Sequence, residues 1–190
     1  MSKRCIIVHG CPSNEEKAKN PETRTYDKHW IPWTKKTLKT NGVPCETPLM
    51  PEPWAPVYEK FKAEFEKLTV DEDTVLVGHS CGTCFLVRWL AESKTKVAKL
   101  ILVAPWKVND KGGEERDKFY HFEIDKTIND RVGEIIMFTA DDESPGGKMS
   151  LKLYQEVLDA KTVELAGHGH YIEKDMHSKE FPELIDEILK

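Results

Sequence analysis

The stretch of greatest chemical interest is Gly-His-Ser-Cys-Gly at residues 78–82, which fits the motif G-x-S-x-G. In this motif a serine lies on a tight turn between a strand and a helix, and the two glycines leave room for the crowded backbone. Residues 74–77 are apolar enough to form the strand, and residues 82–92 carry apolar side chains at helical spacing. The motif therefore predicts Ser80 as the nucleophile of a hydrolase.

The same stretch contains a second motif, C-x-x-C at residues 81–84. Such a pair at a helix N-terminus is typical of thiol–disulfide oxidoreductases, which makes Cys81 an alternative nucleophile. A redox pair has no need of Gly78, however, and two strand–helix units precede the motif, whereas thioredoxin-like folds carry theirs near the start. The hydroxyl nucleophile is therefore preferred, and a thiol–disulfide protein is the alternative.

A serine nucleophile needs two partners, a histidine that takes its proton and a carboxylate that orients the histidine. In α/β-hydrolases the acid and then the histidine follow the serine along the chain, each in a loop beyond a strand. Here the strand-like residues 134–139 run into an acidic loop at 140–147, and residues 162–165 run into Ala-Gly-His-Gly-His-Tyr at 166–171. The order of residue types thus predicts a Ser-His-acid triad.

Two backbone N–H groups are predicted to stabilise the oxyanion of an acyl-transfer reaction. One belongs to Cys81, the residue after the nucleophile. The other should come from the loop after the first strand, where Pro12 has no N–H to offer. Cys11 is therefore the second candidate donor, and Gly10 would allow a close approach to the substrate.

Short apolar runs alternate with amphipathic stretches along the chain, which predicts a doubly wound α/β fold. We expect a mostly parallel sheet of about six strands with helices on both faces, in a single domain over residues 1–190. The predicted strands are 5–9, 44–49, 74–77, 99–103, 134–139 and 162–165, and the predicted helices are 33–40, 57–68, 82–92, 150–158 and 180–189.

Composition argues against several classes of protein. The 190 residues carry a formal net charge of -5 without a basic face, which disfavours nucleic acid as a partner. No apolar run approaches the roughly 20 residues of a membrane span, and the N-terminal run is too short for a signal peptide, so we expect a cytoplasmic protein. The five cysteines are expected to be buried thiols. The sequence has no paired Cys/His ligands at the spacing of a metal site, so no bound metal is expected.

Motifs spread along nearly the whole chain follow one family pattern. They are His-Trp-Ile-Pro-Trp at 29–33, Met-Pro-Glu-Pro at 50–53, Gly-His-Ser-x-Gly at 78–82, Asp-Asp at 141–142 and Gly-His-Tyr at 169–171. In these motifs the chain resembles the small single-domain α/β-hydrolases of the YdeN-like and retinoblastoma-binding serine hydrolase family. The resemblance implies a minimal α/β-hydrolase fold without a cap domain, a Ser-Asp-His triad and esterase-like or peptidase-like activity.

The resemblance also selects between neighbouring residues. In the family pattern the second acid of the pair carries the triad role, which favours Asp142 over Asp141. The triad histidine follows a glycine and precedes an aromatic residue, which favours His170 over His168. One departure lies beside the acids, because Glu143 stands where the family pattern has a proline.

The resulting hypothesis is a serine hydrolase that cleaves small acyl esters or amides through an acyl-enzyme intermediate. Its predicted catalytic residues are Ser80, Asp142 and His170, and no cofactor is expected. Gly10, Trp30 and Trp106 are predicted to bind the small-molecule substrate. The alternative to this enzymatic function is a protein-binding module that uses the hydrolase scaffold to bind a protein partner, because a fold does not fix a function.

Overall fold

The computed structural model describes residues 3–22, 24–109 and 112–190. Within these residues six parallel strands form one sheet in the spatial order β2-β1-β3-β4-β5-β6. The strands are β1 Arg4–Val8, β2 Cys45–Glu46, β3 Thr74–His79, β4 Val97–Val103, β5 Val132–Ala140 and β6 Lys161–Leu165. The predicted doubly wound α/β fold is therefore confirmed.

The helices lie between the strands and after the last one. They are α1 Glu15–Lys19, α2 Ile31–Thr40, α3 Tyr58–Phe65, α4 Cys81–Ser93, α5 Glu114–Tyr120, α6 Pro145–Gln155, α7 Glu173–Met176 and α8 Pro182–Leu189, with a 3₁₀ helix at Lys126–Asp130. None of the described helices is both long and apolar enough to traverse a lipid bilayer.

The sequence patterns missed several helical segments. The short helices α1, α5 and α7 are rich in charged side chains and bury few residues, so they lack the apolar stripe on which the predictions relied. Helix α6 begins five residues before its predicted start, because Pro145 occupies its first turn and the Ser144 hydroxyl accepts a hydrogen bond from the Gly147 N–H. The first residues of this helix lie in the stretch 140–147, which the sequence pattern predicts to be an acidic loop.

The core has two layers, one on each face of the sheet. Side chains alternate along the central strands, so that Leu76 and Leu102 face the layer formed by α3, α4, α5 and α6. Val77 and Ile101 face the opposite layer, which contains α2 and α8. Every residue of β3 is buried as a result. Packing on both faces therefore holds β3 in place, and with it the backbone of Ser80, which follows the strand directly.

The parallel strands end at one common edge of the sheet, where α/β proteins place their binding sites. The loop after β1 and the turn between β3 and α4 meet closely at this edge. A Cβ atom added at Gly82 would lie 2.3 Å from the Val8 carbonyl oxygen and 2.9 Å from that of His9. Only a glycine allows the start of α4 to approach β1 so closely.

We expect Gly82→Ala to lower the free energy of unfolding by about 2 kcal/mol or more, because the added methyl group overlaps backbone that has little freedom to move. Gly42→Ala is the matched control. Nothing lies within 4 Å of the Cβ it would add, although φ there is +75°, so its cost should be about 1 kcal/mol. Urea denaturation of both variants measures the difference. Equal losses would contradict the contact described for Gly82.

Candidate active site

Ser80 lies in the turn between β3 and α4 with φ 52° and ψ -120°, a conformation that non-glycine residues rarely adopt. The turn is held by three hydrogen bonds. The Ser80 N–H donates to the Val103 carbonyl at 3.0 Å, and both the N–H and the hydroxyl of Thr83 donate to the Ser80 carbonyl, at 2.9 and 2.6 Å. Glycine at residue 78 is required as well, since a Cβ atom added there would lie 2.8 Å from the Thr83 backbone.

His170 connects the serine to a carboxylate. Its Nε2 atom lies 2.8 Å from the Ser80 Oγ, and its Nδ1 atom lies 2.9 Å from the Glu143 Oε2. A carboxylate only accepts hydrogen bonds, so Nδ1 carries the proton and Nε2 is free to accept the serine hydroxyl. The three side chains therefore form a continuous hydrogen-bonded chain from alcohol to acid.

Glu143 is well suited to hold a negative charge at this position. Its side chain is only 2% exposed, and its second oxygen accepts a hydrogen bond from the Ser144 N–H at 2.6 Å. Burial alone would raise the pKa of Glu143, but the hydrogen bonds from His170 and Ser144 outweigh burial and keep that pKa below its ordinary value. The carboxylate thus stays ionised beside the imidazole.

The predicted acid, Asp142, does not contact the imidazole. Its Oδ1 accepts a hydrogen bond from the Gly169 N–H at 2.8 Å, and Asp141 accepts one from the Gly167 N–H at 2.8 Å. Both aspartates bind the backbone of the histidine loop, and the expected pairing of Asp142 with His170 is corrected to Glu143. The signal in the sequence was the departure from the family pattern, a carboxylate in place of proline.

Two further side chains hold the backbone of the histidine loop. The Asp175 Oδ2 accepts a hydrogen bond from the His170 N–H at 3.0 Å. The His79 Nε2 donates to the His170 carbonyl at 2.9 Å, since a carbonyl can only accept. Burial, together with the neighbouring His170 and His29, lowers the pKa of His79 well below its ordinary value. A neutral His79 therefore keeps this hydrogen bond without adding charge to the site.

Trp30 does not line the cleft at Ser80, contrary to the prediction that it binds substrate. Its side chain is completely buried in the layer that contains α2 and α8, where its ring packs edge-on against Phe181. Its indole Nε1 donates a hydrogen bond to the Tyr171 carbonyl at 3.0 Å. Trp30 thus acts on the site only indirectly, by fixing the residue that follows His170.

The loop after β1 is organised around a second buried histidine. The Met50 N–H donates to the His9 Nε2 at 3.0 Å, which leaves Nδ1–H to donate to the Gly10 carbonyl at 2.7 Å. The Thr25 hydroxyl donates to the same carbonyl at 2.7 Å. Burial, the dominant effect, lowers the pKa of His9 to about 4 despite the hydrogen bond to Gly10. The loop is thus held by a neutral imidazole.

A cleft of about 250 Å³ opens over Ser80 and His170. Gly10 and Trp106, two of the three predicted substrate-binding residues, line it, and the Trp106 ring stands edge-to-face against the His170 ring at 5.2 Å between centroids. The other lining residues are Cys11, Thr25, His79, Arg116, Tyr120, Ser144 and Ile172. In the described part of the chain, no cluster of three or more His, Cys, Asp or Glu side chains could bind a metal ion.

Comparison with known proteins identifies the family. A model of the family described as serine hydrolase matches residues 23–189. This chain belongs to the serine hydrolase family. The hydrolase YdeN of Bacillus subtilis (strain 168) is 26% identical over 181 residues, which cover 92% of this chain and 89% of that protein. The serine hydrolase RBBP9 of Rattus norvegicus is 30% identical over 162 residues, covering 78% of this chain and 81% of that protein.

The fold of this serine hydrolase agrees with that of a relative of known structure. The crystal structure of the ydeN gene product from B. subtilis superimposes with a TM-score of 0.83 at 24% identity, and the match covers 99% of this chain and 97% of that chain. The family assignment and the fold class predicted from the sequence motifs are both confirmed, and the protein is an enzyme of the serine hydrolase type.

The cysteines of the serine hydrolase differ from the prediction of buried thiols. Cys11 and Cys81 form a disulfide, with Cα atoms 5.7 Å apart. The pairing is feasible because the loop after β1 passes close to the turn after β3, where a Cβ at Gly10 would lie 3.2 Å from that of Ser80. Cys84 is a free buried thiol. The C-x-x-C interpretation is therefore wrong, since Cys81 pairs with Cys11 across the sheet edge.

The disulfide joins the two residues predicted to donate backbone N–H groups to an oxyanion. Cys81 is the first residue of α4, and the first four N–H groups of a helix have no partner within the helix. Cys11 lines the cleft together with Ser80. The cross-link fixes the spacing of the two backbone segments that border the serine.

We expect replacement of both Cys11 and Cys81 by alanine to lower the free energy of unfolding by about 2–4 kcal/mol, because the cross-link spans 70 residues and restricts the unfolded chain. Dithiothreitol should lower the stability of the wild type similarly and leave the double variant unchanged. Cys84→Ala, which removes a free thiol, is the control. Thiol titration of the unreduced, unfolded wild type should find three thiols, Cys5, Cys45 and Cys84. Five titratable thiols would contradict the disulfide.

Proposed function

We propose that this enzyme hydrolyses small acyl esters or amides through an acyl-enzyme intermediate formed on Ser80. The observation that carries the proposal is the continuous chain of hydrogen bonds from Ser80 through His170 to Glu143, at 2.8 and 2.9 Å. A serine hydroxyl becomes an effective nucleophile only when a positioned base accepts its proton, and these distances are those of such a relay.

In the proposed mechanism the Ser80 Oγ attacks the acyl carbon while the His170 Nε2 takes the hydroxyl proton. Glu143 stabilises the imidazolium that forms and keeps its Nδ1 proton in place. The backbone N–H groups of Cys11 and Cys81 donate to the oxyanion of the tetrahedral intermediate. His170 then protonates the leaving group, and water, activated by the same imidazole, releases the acyl group from the serine.

The assignment of the acid role to Glu143 rests on more than proximity. Glu143 is buried and ionised against the imidazole, whereas Asp142 is engaged by the Gly169 N–H. A glutamate is one methylene longer than an aspartate, which compensates for its place one residue further from β5. The proposed triad is therefore Ser80, His170 and Glu143, with Asp142 as a residue that positions the histidine loop.

The size of the cleft supports small substrates. Its volume of about 250 Å³ lies below the range of roughly 300–1,000 Å³ that drug-sized ligands occupy. The Trp106 ring borders His170 and offers an apolar surface to an acyl chain. Short acyl groups are therefore the proposed substrates.

We expect Ser80→Ala to abolish hydrolysis of p-nitrophenyl acetate, with a loss of at least about 10³-fold in kcat/KM, and to abolish labelling by a fluorophosphonate probe. The control is Ser93→Ala, the same substitution at the far end of α4. It should leave both readouts at the wild-type level. Turnover by Ser80→Ala at the wild-type rate would exclude this serine as the nucleophile.

A second pair of variants tests the acid. Glu143→Gln should lower kcat/KM by about 10²–10⁴-fold, because the neutral amide no longer stabilises the imidazolium. Asp142→Asn keeps an oxygen that can accept from the Gly169 N–H, so its loss should stay within about tenfold. Steady-state kinetics on the same ester ranks the two variants. The opposite ranking would return the acid role to Asp142.

A further inference from the structure

The cleft contains a cation that the proposed chemistry does not use. Arg116 lies on α5 and lines the cleft together with Ser80 and His170. Among the described lining residues it is the one side chain with a permanent charge, and none of them is an aspartate or glutamate. The side chains that line the cleft therefore carry a positive charge.

The guanidinium of Arg116 is held in place by a backbone carbonyl and an aromatic ring, and none of the described carboxylates pairs with it. Its Nη1 donates to the Trp54 carbonyl at 3.1 Å, and it packs over the Tyr120 ring with 5.6 Å to the centroid. Its Nε is buried and has no hydrogen-bond acceptor among the residues that the structure describes. Within residues 3–22, 24–109 and 112–190, Arg116 pairs with no carboxylate. An arginine that lines a cleft and pairs with no described carboxylate is a ready site for an anion.

This lack of a carboxylate partner among the described residues is not explained by a shortage of acids nearby. The carboxylates of Glu114 and Glu115 on the same helix pair with Lys118 at 2.9 and 2.8 Å, and that of Asp117 accepts a hydrogen bond from the Asn109 side chain at 2.7 Å. The acids of α5 are thus engaged by other partners. None of the acids of α5 therefore neutralises the Arg116 guanidinium, which can bind an anion in the cleft.

We propose that Arg116 binds a carboxylate of the substrate, so that the enzyme prefers esters carrying a carboxylate a few bonds from the scissile carbonyl. This inference rests on the proposed function of Ser80, whose cleft it shares. A planar guanidinium matches a carboxylate with two parallel hydrogen bonds, and the small volume of the cleft favours a short dicarboxylic half-ester over a bulky anion. The Arg116 cation would then select the substrate and orient its ester towards Ser80.

The kinetic test compares monomethyl glutarate with methyl pentanoate, a neutral ester of the same chain length. Wild type should prefer the anionic ester, and Arg116→Gln should lower the ratio of the two kcat/KM values by roughly tenfold to a hundredfold. Arg116→Lys, which keeps the charge, should lose less. Arg4→Gln is the control, since Arg4 pairs with Asp71 at the opposite end of β1 and should leave the ratio unchanged. An unchanged ratio in Arg116→Gln overturns the proposal.

A binding test separates this inference from the proposed hydrolysis. Calorimetric titration with glutarate should show binding to the wild type that Arg116→Gln weakens at least about tenfold. If no ester is turned over but glutarate binds through Arg116, the hydrolytic proposal fails and the anion site stands. Equal glutarate binding by both proteins, or no binding at all, overturns the anion site. Tighter Arg116-dependent binding of inorganic phosphate than of glutarate overturns the carboxylate assignment.

Discussion

The site depends on the strained turn at Ser80. A non-glycine residue at φ 52° and ψ -120° costs on the order of 1–3 kcal/mol, so it persists only where its surroundings leave no alternative. Those surroundings are the close approach of Gly82 to β1 and the hydrogen bonds that Val103 and Thr83 make with the Ser80 backbone. The turn presents the hydroxyl at the sheet edge, and everything else in the site is arranged around that hydroxyl.

The histidine loop is held chiefly through its backbone. Asp141, Asp142 and Asp175 accept from three of its N–H groups, and His79 and Trp30 donate to two of its carbonyls. The two ring nitrogens of His170 are left to form hydrogen bonds with Ser80 and Glu143. Backbone anchoring of this kind fixes the ring position without consuming the ring nitrogens that proton transfer requires.

The carboxylate that contacts His170 and the cation of the cleft have different surroundings. Glu143 is buried against the imidazole, whereas Arg116 is among the residues that line the cleft. His9 and His79, both buried close to the site, have pKa values lowered by burial, so they are neutral at pH 7 and do not compete with His170 for Glu143. The disulfide between Cys11 and Cys81 completes the arrangement by joining two loops that border the serine.

The sequence by itself determined the order of the strands and of the longer helices, the turn at Ser80 and the positions of the acid and histidine loops. These features depend on local spacing, such as glycines two residues to either side of a serine, and local spacing is visible in a sequence. The sequence pattern did not indicate a role for Arg116, because the charge-rich helix that carries it lacks the apolar stripe by which a helix is predicted.

Only the tertiary structure decided which acid contacts His170, which cysteine pairs with Cys81 and whether Trp30 reaches the cleft at Ser80. Glu143 rather than Asp142 contacts the imidazole, while Asp142 accepts a hydrogen bond from the Gly169 N–H, and this division depends on the backbone path of the two loops. Cys11 is 70 residues from Cys81, and the two become neighbours only when β1 and β3 pair. Contacts between distant segments are set by packing, which no local pattern encodes.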